Sequence, residues 1–386
     1  MITVFTPVYN RVHTIGKLYQ SLLRQTDFDF EWLIVDDGSE DGISELVHKW
    51  LQEGNASFPI RFYQQKNGGK HRAVNLGVEL AKGDAFFIVD SDDYITEDAI
   101  SFIKKWWGAV AEDSKFAGIS GLRRKENGKI IGDMPSFAPF VDATNIEREK
   151  YGLTGDKAEI YKTSVLKKYP FPEFEGENFL TEAVVWDKIA HAGLKIRWLN
   201  QAITVCEYRE DGLTSQGREL FIRNPKGWGF YIYQTGLFYQ LSDRDRIQEY
   251  FRYYIDLKNE ISHSEIKRNL RIDEKTLTKL RQLHKHYIKK TVDKIGTKIA
   301  LYGGGNRGKR ILNLYQGSEV EIRYILDRKK VDLPYLQIHL NEDYPFVDAI
   351  IVTPKNGQAE IIDFLRKRTK HRLISYSEWE MLVDGR

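Results

Sequence analysis

The chain has 386 residues, which is too long for one typical hydrophobic core and predicts two domains, with or without a connector. Its single cysteine, Cys206, excludes a disulfide framework and a cysteine-based zinc site, and it suits a reducing cytosol. The 41% hydrophobic and 29% charged residues are typical of a globular protein, and no apolar run approaches the length of a membrane span. We therefore expect a cytoplasmic protein.

Apolar runs and helical patterns alternate along the first 111 residues. The predicted strands are 2–6, 30–35, 60–64 and 85–89, and the predicted helices lie near 13–24, 42–52, 71–81 and 96–107. This alternation favours a parallel sheet with helices on both faces. In such a sheet, ligands bind outside the carboxyl ends of the strands.

A polar cluster follows each of these strands, at the end where ligands bind. The four clusters are TPVYN, DDGSEDG, NGGKHR and DSDD. In the last one, Asp90, Asp92 and Asp93 lie within four positions, directly after a strand that looks buried. Like charges this close raise one another's pKa unless a cation relieves them. The cluster therefore predicts a Mg²⁺ or Mn²⁺ site, with a solvated turn as the alternative.

The cluster after the third strand carries positive charge. Two glycines free its backbone, and Lys70, His71 and Arg72 stand at the start of a predicted helix. This arrangement suits phosphate oxygens, whereas the alternative is a turn whose basic side chains point to water. After the second strand, Asp36 and Asp37 can accept hydrogen bonds from a base or a ribose, or they can cap the next helix.

The remaining chain changes character twice. Residues 112–210 are more irregular, with short strands such as AEIY and TVCEY and a helix predicted to begin near Thr181. A helical, aromatic pattern follows up to residue 295. Then come a strand, the loop GGGNRG and a helix, with Asp327 at the end of the next strand, as in a dinucleotide fingerprint. This loop either binds a nucleotide or keeps its glycines for the turn alone, and we favour the second interpretation. The predicted parts are 1–212, a helical connector 213–295 and an α/β domain 296–386.

Positive charge is concentrated in one stretch. Between Arg244 and Arg310 there are 18 Lys and Arg against 8 Asp and Glu, although the whole chain carries only +3. A solvated helical face is the interpretation that we favour. The alternative is contact with an anionic lipid surface or with phosphates.

Taken together, the four clusters resemble glycosyltransferase family 2, the inverting enzymes of GT-A fold. The resemblance rests on TPVYNR (6–11), VDDGSEDG (35–42), NGGKHRAVNLGVELAKGD (67–84) and VDSDD (89–93), and it covers about the first 210 residues. It implies an α/β GT-A domain with a mixed, mainly parallel sheet and a nucleotide-diphosphate sugar donor, usually a UDP-sugar. The C-terminal part resembles a small Rossmann-like module more weakly.

The resemblance also implies roles for individual residues. Asp92 matches the better metal ligand of the family's DxD pair, and Asp90 matches the ligand nearer the ribose, with Mn²⁺ or Mg²⁺ as the metal. Glu182, in FLTEAVVWDK, matches the general base, although the family usually has Asp there. The residues expected at the donor are Thr6, Tyr9, Asp37, Lys70, Asp90 and Ser91. Further candidates for the site are Asp93, His71 and Asp187.

The expected function is metal-dependent, inverting transfer of a sugar from a UDP donor to a hydroxyl of a glycan or lipid-linked saccharide. Its expected setting is the assembly of bacterial surface polysaccharides or glycoconjugates. An NAD(P)-linked oxidoreductase or a nucleotide-sugar-modifying enzyme built on GGGNRG is the alternative, but it leaves the four N-terminal clusters without a role. Nucleic-acid binding is not expected, because no binding motif is recognisable. Peripheral contact with the inner face of the membrane and the oligomeric state stay open.

Overall fold

The structure, a computed structural model, describes residues 1–135, 138–207, 217–328, 333, 335–340 and 342–384. These residues form two units, Met1–Leu241 and Ser242–Arg386. Each unit has a sheet of its own.

The sheet of the first unit contains nine of the described strands. They are β1 (Ile2–Val8), β2 (Phe30–Asp36), β3 (Ile60–Gln64), β4 (Ala85–Ile88), β5 (Tyr94–Ile95), β6 (Phe116–Lys125), β7 (Phe140–Ala143), β8 (Lys157–Lys162) and β9 (Lys195–Cys206). Their order is β3-β2-β1-β4-β8-β6-β9-β5, with β7 paired to β9. Strands β1 to β4 are parallel, whereas β8 runs antiparallel to β4 and β6. The predicted α/β class with a mixed, mainly parallel sheet is confirmed.

The helices of this unit follow the strands as the sequence predicts. They are α1 (Ile15–Leu23), α2 (Ile43–Glu53), α3 (Lys70–Leu80), α4 (Ala99–Trp107), α5 (Thr163–Lys168), α6 (Ala183–His191), α7 (Arg218–Ile222) and α8 (Pro225–Phe238). Two short 3-10 helices cover Asn145–Glu147 and Glu149–Tyr151.

Both faces of β1, β2 and β4 are buried, and successive side chains of each strand point to opposite faces. Val4 and Trp32 pack into one hydrophobic core, and their neighbours Phe5 and Leu33 pack into the other. Strands β1, β2 and β4 are therefore mostly apolar, and a polar cluster follows each of them at its carboxyl end. This is why the polar clusters share one edge of the sheet.

The second unit combines three helices with a small α/β domain. The helices are α9 (Asp243–Leu257), α10 (His263–Leu270) and α11 (Glu274–Lys294). The α/β part is β10 (Lys298–Tyr302), α12 (Asn306–Tyr315), β11 (Glu321–Leu326), β12 (Gln337–Ile338), β13 (Ala349–Val352), α13 (Gln358–Arg366), β14 (Arg372–Ser375) and α14 (Tyr376–Asp384). The strand order β12-β11-β10-β13-β14 is parallel throughout, as in a Rossmann-like domain.

The predicted connector 213–295 is divided between the two units, so the predicted boundaries differ from the observed division after Leu241. Helix α8 belongs to the first unit, where the side-chain amide of Gln234 donates to the carbonyl of Val184 at 2.8 Å. Helix α11 belongs to the second unit, where the hydroxyls of Thr291 and Tyr315 lie 2.6 Å apart. Side-chain packing decides the division, and the composition of the sequence did not reveal it.

We predict that residues 1–241 fold on their own, whereas a chain cut after Lys294 aggregates. The longer chain keeps α9 and α11 but lacks α12 and α14, which pack against them, so apolar surface that these helices bury becomes exposed. Size-exclusion chromatography and thermal unfolding of the two truncated chains test this. A monodisperse 1–294 chain together with an insoluble 1–241 chain would show that the boundary is misplaced.

Candidate active site

The loop after β2 organises the loop after β3. The buried carboxylate of Asp37 accepts hydrogen bonds from the backbone N–H of Gly68 at 2.9 Å and of Gly69 at 2.7 Å. It also accepts one from the side-chain amide of Gln65 at 2.7 Å. In this structure Asp37 thus shapes the glycine loop, and its predicted contact with the donor stays a prediction.

Gly69 occupies a position that no other residue fits. Its φ of +95° lies in the region that L side chains rarely adopt, and a Cβ there would come within 1.7 Å of the carbonyl oxygen of Asn178. The close approach brings the start of α3 against the segment that leads into α6. Lys70 and Glu182 are thereby placed near each other, although 112 positions separate them in the sequence.

Lys70 joins two carboxylates that the sequence predicted for separate tasks. Its ammonium lies 2.5 Å from Asp90 Oδ1 and 2.8 Å from Glu182 Oε1. Burial lowers the pKa of Lys70, but the two carboxylates outweigh burial and raise it above its ordinary value. The ammonium therefore stays charged at neutral pH and lies at the centre of the candidate site.

The three aspartates after β4 have different surroundings. Burial raises the pKa of Asp90, but Lys70 and Arg123 more than compensate and bring it below its ordinary value. Burial and the charge of Asp90 raise the pKa of Asp92. Burial also raises the pKa of Asp93, to about 7, against the charge of Arg123. Negative charge is thus balanced at Asp90 and in excess beside Asp92.

Side chains from strands β6 and β9 bind the carboxylate of Asp93. Its Oδ2 lies 3.2 Å from a guanidinium nitrogen of Arg123 and accepts from Cys206 Sγ at 3.2 Å. Arg123 also donates from Nε to the carbonyl of Lys157 at 2.8 Å. Asp93 therefore belongs to a buried network behind the ion pairs of Lys70.

The sequence patterns did not predict Arg123 and Glu159 as members of the site. Burial raises the pKa of Glu159 to about 7, although Arg123 and Arg148 lower it and Glu182 raises it further. Glu159 is a charged residue inside an apolar strand, and this signal could have drawn attention to it. Arg123 gave no comparable signal, because it stands next to Arg124 at the charged end of its strand.

Only one of the three basic residues predicted for the phosphates reaches the ion-pair cluster. His71 is 3% exposed, and burial together with Arg72 lowers its pKa to about 4, so it is neutral at physiological pH. The guanidinium of Arg72 donates its hydrogen bonds to the segment before α6. Lys70 alone brings positive charge from this loop to Asp90, which corrects the expectation of a threefold basic cluster.

The other predicted donor residues are spread over the same edge. Thr6 is fully buried, and its hydroxyl accepts from the indole N–H of Trp32 at 3.0 Å, so this hydroxyl serves the core. Tyr9 is 50% exposed, and Ser91 is buried beside the aspartates. Their roles at a donor stay predictions.

Asp187, a further candidate for the site and the alternative to Glu182 as the base, is hydrogen-bonded to two other residues. It is 2% exposed, and its Oδ1 accepts from Asn145 Nδ2 at 2.7 Å and from the hydroxyl of Tyr239 at 3.1 Å. Burial raises its pKa, although both hydrogen bonds oppose the change. Asp187 therefore joins α6 to its neighbours and faces a different side of the helix from Glu182.

Two residues of α3 fasten the segment that leads to Glu182. Arg72 donates to Glu173 Oε2 at 3.0 Å, to the carbonyl of Phe174 at 2.9 Å and to the carbonyl of Glu177 at 2.7 Å. Asn75 exchanges two hydrogen bonds with the backbone of Phe171, at 2.9 and 3.0 Å. We call Arg72 and Asn75 the α3 latch.

The same segment is fastened from its other side. The carboxylate of Glu177 accepts from the backbone N–H of Lys226 at 2.6 Å and of Gly227 at 2.8 Å, in the first turn of α8. Asn224 Oδ1 accepts from the backbone N–H of Asn178 and of Phe179. The approach to Glu182 is thus fixed between α3 and α8.

Comparison with known proteins agrees with the N-terminal geometry. Residues 3–131 match the family model described as glycosyl transferase family 2. This N-terminal third of the chain is therefore similar to glycosyltransferase family 2. This match includes Lys70 and Asp90 but ends before Glu182, so the assignment of the base depends on motif alignment and geometry.

Similar proteins share only part of their length with this chain. An uncharacterized glycosyltransferase of Rickettsia felis is 36% identical over 135 residues, which are 35% of this chain and 21% of the relative. Glycosyltransferase GlyG of Streptococcus pneumoniae is 36% identical over 101 residues, or 26% of this chain and 33% of GlyG. Chondroitin synthase of Pasteurella multocida is 35% identical over 142 residues, or 36% of this chain and 14% of the synthase. The chain therefore spans a third or less of each of these relatives.

Solved structures with some similarity include Staphylococcus aureus TarS 1–349 in complex with UDP-GlcNAc. It has a TM-score of 0.46 and 22% identity, and the match covers 81% of this chain and 86% of that one. GalNAc-T7 with UDP, GalNAc and Mn²⁺ has a TM-score of 0.49 and 14% identity, and the match covers 73% of this chain and 54% of that one.

Within the described parts of this chain, no helix has both the length and the apolar character needed to cross a bilayer.

We predict that Arg72→Gln lowers sugar transfer about 10²-fold while UDP affinity changes little, because a reacting group misplaced by about 1 Å can cost that much. The substitution loosens the segment before Glu182 but leaves Lys70 and Asp90 intact. Initial rates and calorimetric titration with UDP measure the two effects.

Arg61→Gln is the matched control. Arg61 pairs with Glu31 at 2.9 Å and donates to the carbonyl of Leu80 at 2.8 Å, at the amino ends of the strands. Equal losses of transfer in the two variants would mean that the α3 latch serves stability alone.

Proposed function

We propose that the chain transfers a sugar from a UDP-sugar to a hydroxyl of a saccharide acceptor, with inversion at the anomeric carbon. The observation that carries the proposal is the Lys70 ammonium between Asp90 and Glu182. One cation thereby links the aspartates assigned to the donor with the carboxylate assigned to the acceptor. The setting that we propose is the assembly of bacterial surface polysaccharides at the inner face of the membrane.

The leaving group of this reaction is a diphosphate that gains negative charge. Lys70 stands at the positive N-terminal end of α3, and its ammonium can exchange a carboxylate for a phosphate oxygen. The ion pairs with Asp90 and Glu182 hold the ammonium in place before the donor binds, so little reorganisation accompanies the reaction.

The oxygen atoms of the aspartate cluster suit a divalent metal ion. In the described residues, no three His, Cys, Asp or Glu side chains converge on one metal position. Mg²⁺ commonly needs fewer, because one or two carboxylates, the substrate phosphates and water complete its coordination. Asp92, where negative charge is in excess, and the second oxygen of Asp90 fit this pattern. A bound Mg²⁺ or Mn²⁺ would neutralise charge on the leaving diphosphate.

Glu182 fits the role of the general base. Its carboxylate is 37% exposed, so an acceptor can reach it, and it lies directly before the first turn of α6. It takes the proton of the acceptor hydroxyl while that oxygen forms a bond to the anomeric carbon. The bond from this carbon to the diphosphate breaks with its electron pair, which leaves UDP.

The C-terminal glycine loop gives no support to the oxidoreductase alternative. Asp327 Oδ2 accepts from the backbone N–H of Gly304 at 2.9 Å, so the carboxylate that would hold a ribose binds the loop itself. A Cβ on Gly303 would come within 2.7 Å of Thr353 Oγ1, so close packing alone explains why a glycine stands at this position.

We expect Glu182→Gln to abolish transfer but to keep UDP binding, because an amide has the size of the carboxylate but cannot take a proton. A general base is typically worth about 10²–10⁴-fold in rate. Asp187→Asn is the control on the same helix and should be mild, since an amide oxygen can still accept from Asn145 and Tyr239. Transfer rates and UDP titrations on both variants decide; an inactive Asp187→Asn beside an active Glu182→Gln would reverse the assignment.

We also expect transfer to need a divalent ion and Asp92. EDTA, or Asp92→Asn, should lower the rate about 10²-fold or more, because metal stabilisation of the leaving group is worth several kcal/mol. Asp84→Asn is the matched control, since Asp84 is exposed just before the other end of β4. Full turnover in EDTA would contradict the metal assignment. Lys70 would then be the cation that neutralises the leaving diphosphate.

A further inference from the structure

One face of α11 carries a row of exposed lysines. Lys275, Lys279, Lys285 and Lys289, together called the α11 stripe, recur at spacings that keep them on one side of the helix. The opposite side is buried at Leu277, Leu280 and Thr291. At 1.5 Å per residue the α11 stripe is about 21 Å long.

The lysines of the α11 stripe have no carboxylate partner within the described ranges of the chain. Their neighbour Lys267 does, since its ammonium lies 2.7 Å from Glu274. Asp293, at the C-terminal end of the same face, is the nearest other acid on this helix. The positive charge of the stripe is thus largely uncompensated.

This arrangement is unfavourable to the helix itself. The stripe contains two pairs of lysines spaced by four residues, Lys275 with Lys279 and Lys285 with Lys289, and like charges at this spacing repel. None of the four side chains is buried, so packing does not require them. A surface with the opposite charge would turn the repulsion into attraction.

We propose that the α11 stripe binds the anionic headgroups of a lipid membrane. Its charges are all lysines, whose compact ammonium groups on long stems can adapt to a plane of headgroups. Nucleic-acid surfaces rely on arginine for bidentate contacts and on aromatic rings for stacking, and the stripe contains neither. Charge complementarity therefore favours a lipid surface.

The binding is electrostatic in character. The exposed face of α11 shows no large apolar side chain that could insert below the headgroups. Each lysine near an anionic surface contributes about fivefold to the partition coefficient at low salt. Added salt screens this attraction, with a Debye length of about 8 Å at 0.15 M.

The test uses the full chain and vesicles of 30 mol% phosphatidylglycerol in phosphatidylcholine, beside vesicles of pure phosphatidylcholine. Cosedimentation at 50 mM salt should detect the chain on the anionic vesicles only, and 500 mM salt should release it. Changing all four lysines of the stripe to Gln should lower the partition at least a hundredfold. This inference goes beyond the proposed function, because vesicle binding is measured without sugar transfer.

The matched control changes four exposed lysines of the first unit to Gln, namely Lys115, Lys129, Lys167 and Lys168. Its net charge equals that of the stripe variant, so a general effect of charge would appear in both, and thermal unfolding verifies that both fold. Equal losses in the two variants, or binding to pure phosphatidylcholine, would overturn the proposal. So would tighter binding to a 20-base-pair DNA duplex than to the anionic vesicles, because the partner would then be a nucleic acid.

Discussion

The candidate site depends on one partly buried ion cluster, in which Lys70 compensates Asp90 and Glu182. Charges removed from water are costly, and a buried charge that loses its partner destabilises a fold strongly. The cluster joins the start of α3, the end of β4 and the start of α6, and each charge lies beside one of opposite sign where these elements meet. The same pairing keeps a cation and a carboxylate base within reach of one another before substrate arrives.

The surrounding hydrogen bonds hold that cluster in place. Asp37 accepts hydrogen bonds from the glycine loop, and Gly69 lets this loop approach Asn178 closely. The α3 latch binds the segment before α6 to helix α3. Asp37 and the α3 latch both hydrogen-bond to backbone groups of the segments that they hold. Preorganisation of this kind is what allows fixed charges to act on a developing charge without rearranging at the moment of reaction.

The sequence predicted the first four strands, the helices that alternate with them and the edge of the sheet at which the polar clusters meet, because hydrophobic periodicity determines all three. It did not predict β6 or β7. It did not predict which way a side chain points. Lys70, His71 and Arg72 look equivalent as a run of basic residues, yet one enters the ion cluster, one is buried and neutral, and one fastens a distant segment. Arg123 was missed for a related reason, since its partner Asp93 lies 30 positions away in the sequence and no local pattern records the contact.

The two groups of charges in this chain show how differently the fold treats them. Around Lys70, opposite charges are partly buried and lie at hydrogen-bond distance from each other. Their electric fields therefore largely cancel outside the site. Along α11, like charges are exposed and have only water and ions to face in the described part of the chain. The first arrangement costs desolvation and gains a fixed geometry, which suits chemistry on a small substrate. The second costs helix stability and gains a field that extends about a Debye length into solvent, which suits a large partner of opposite charge. A count of charges along the sequence cannot separate these cases, whereas the pairing of each side chain does.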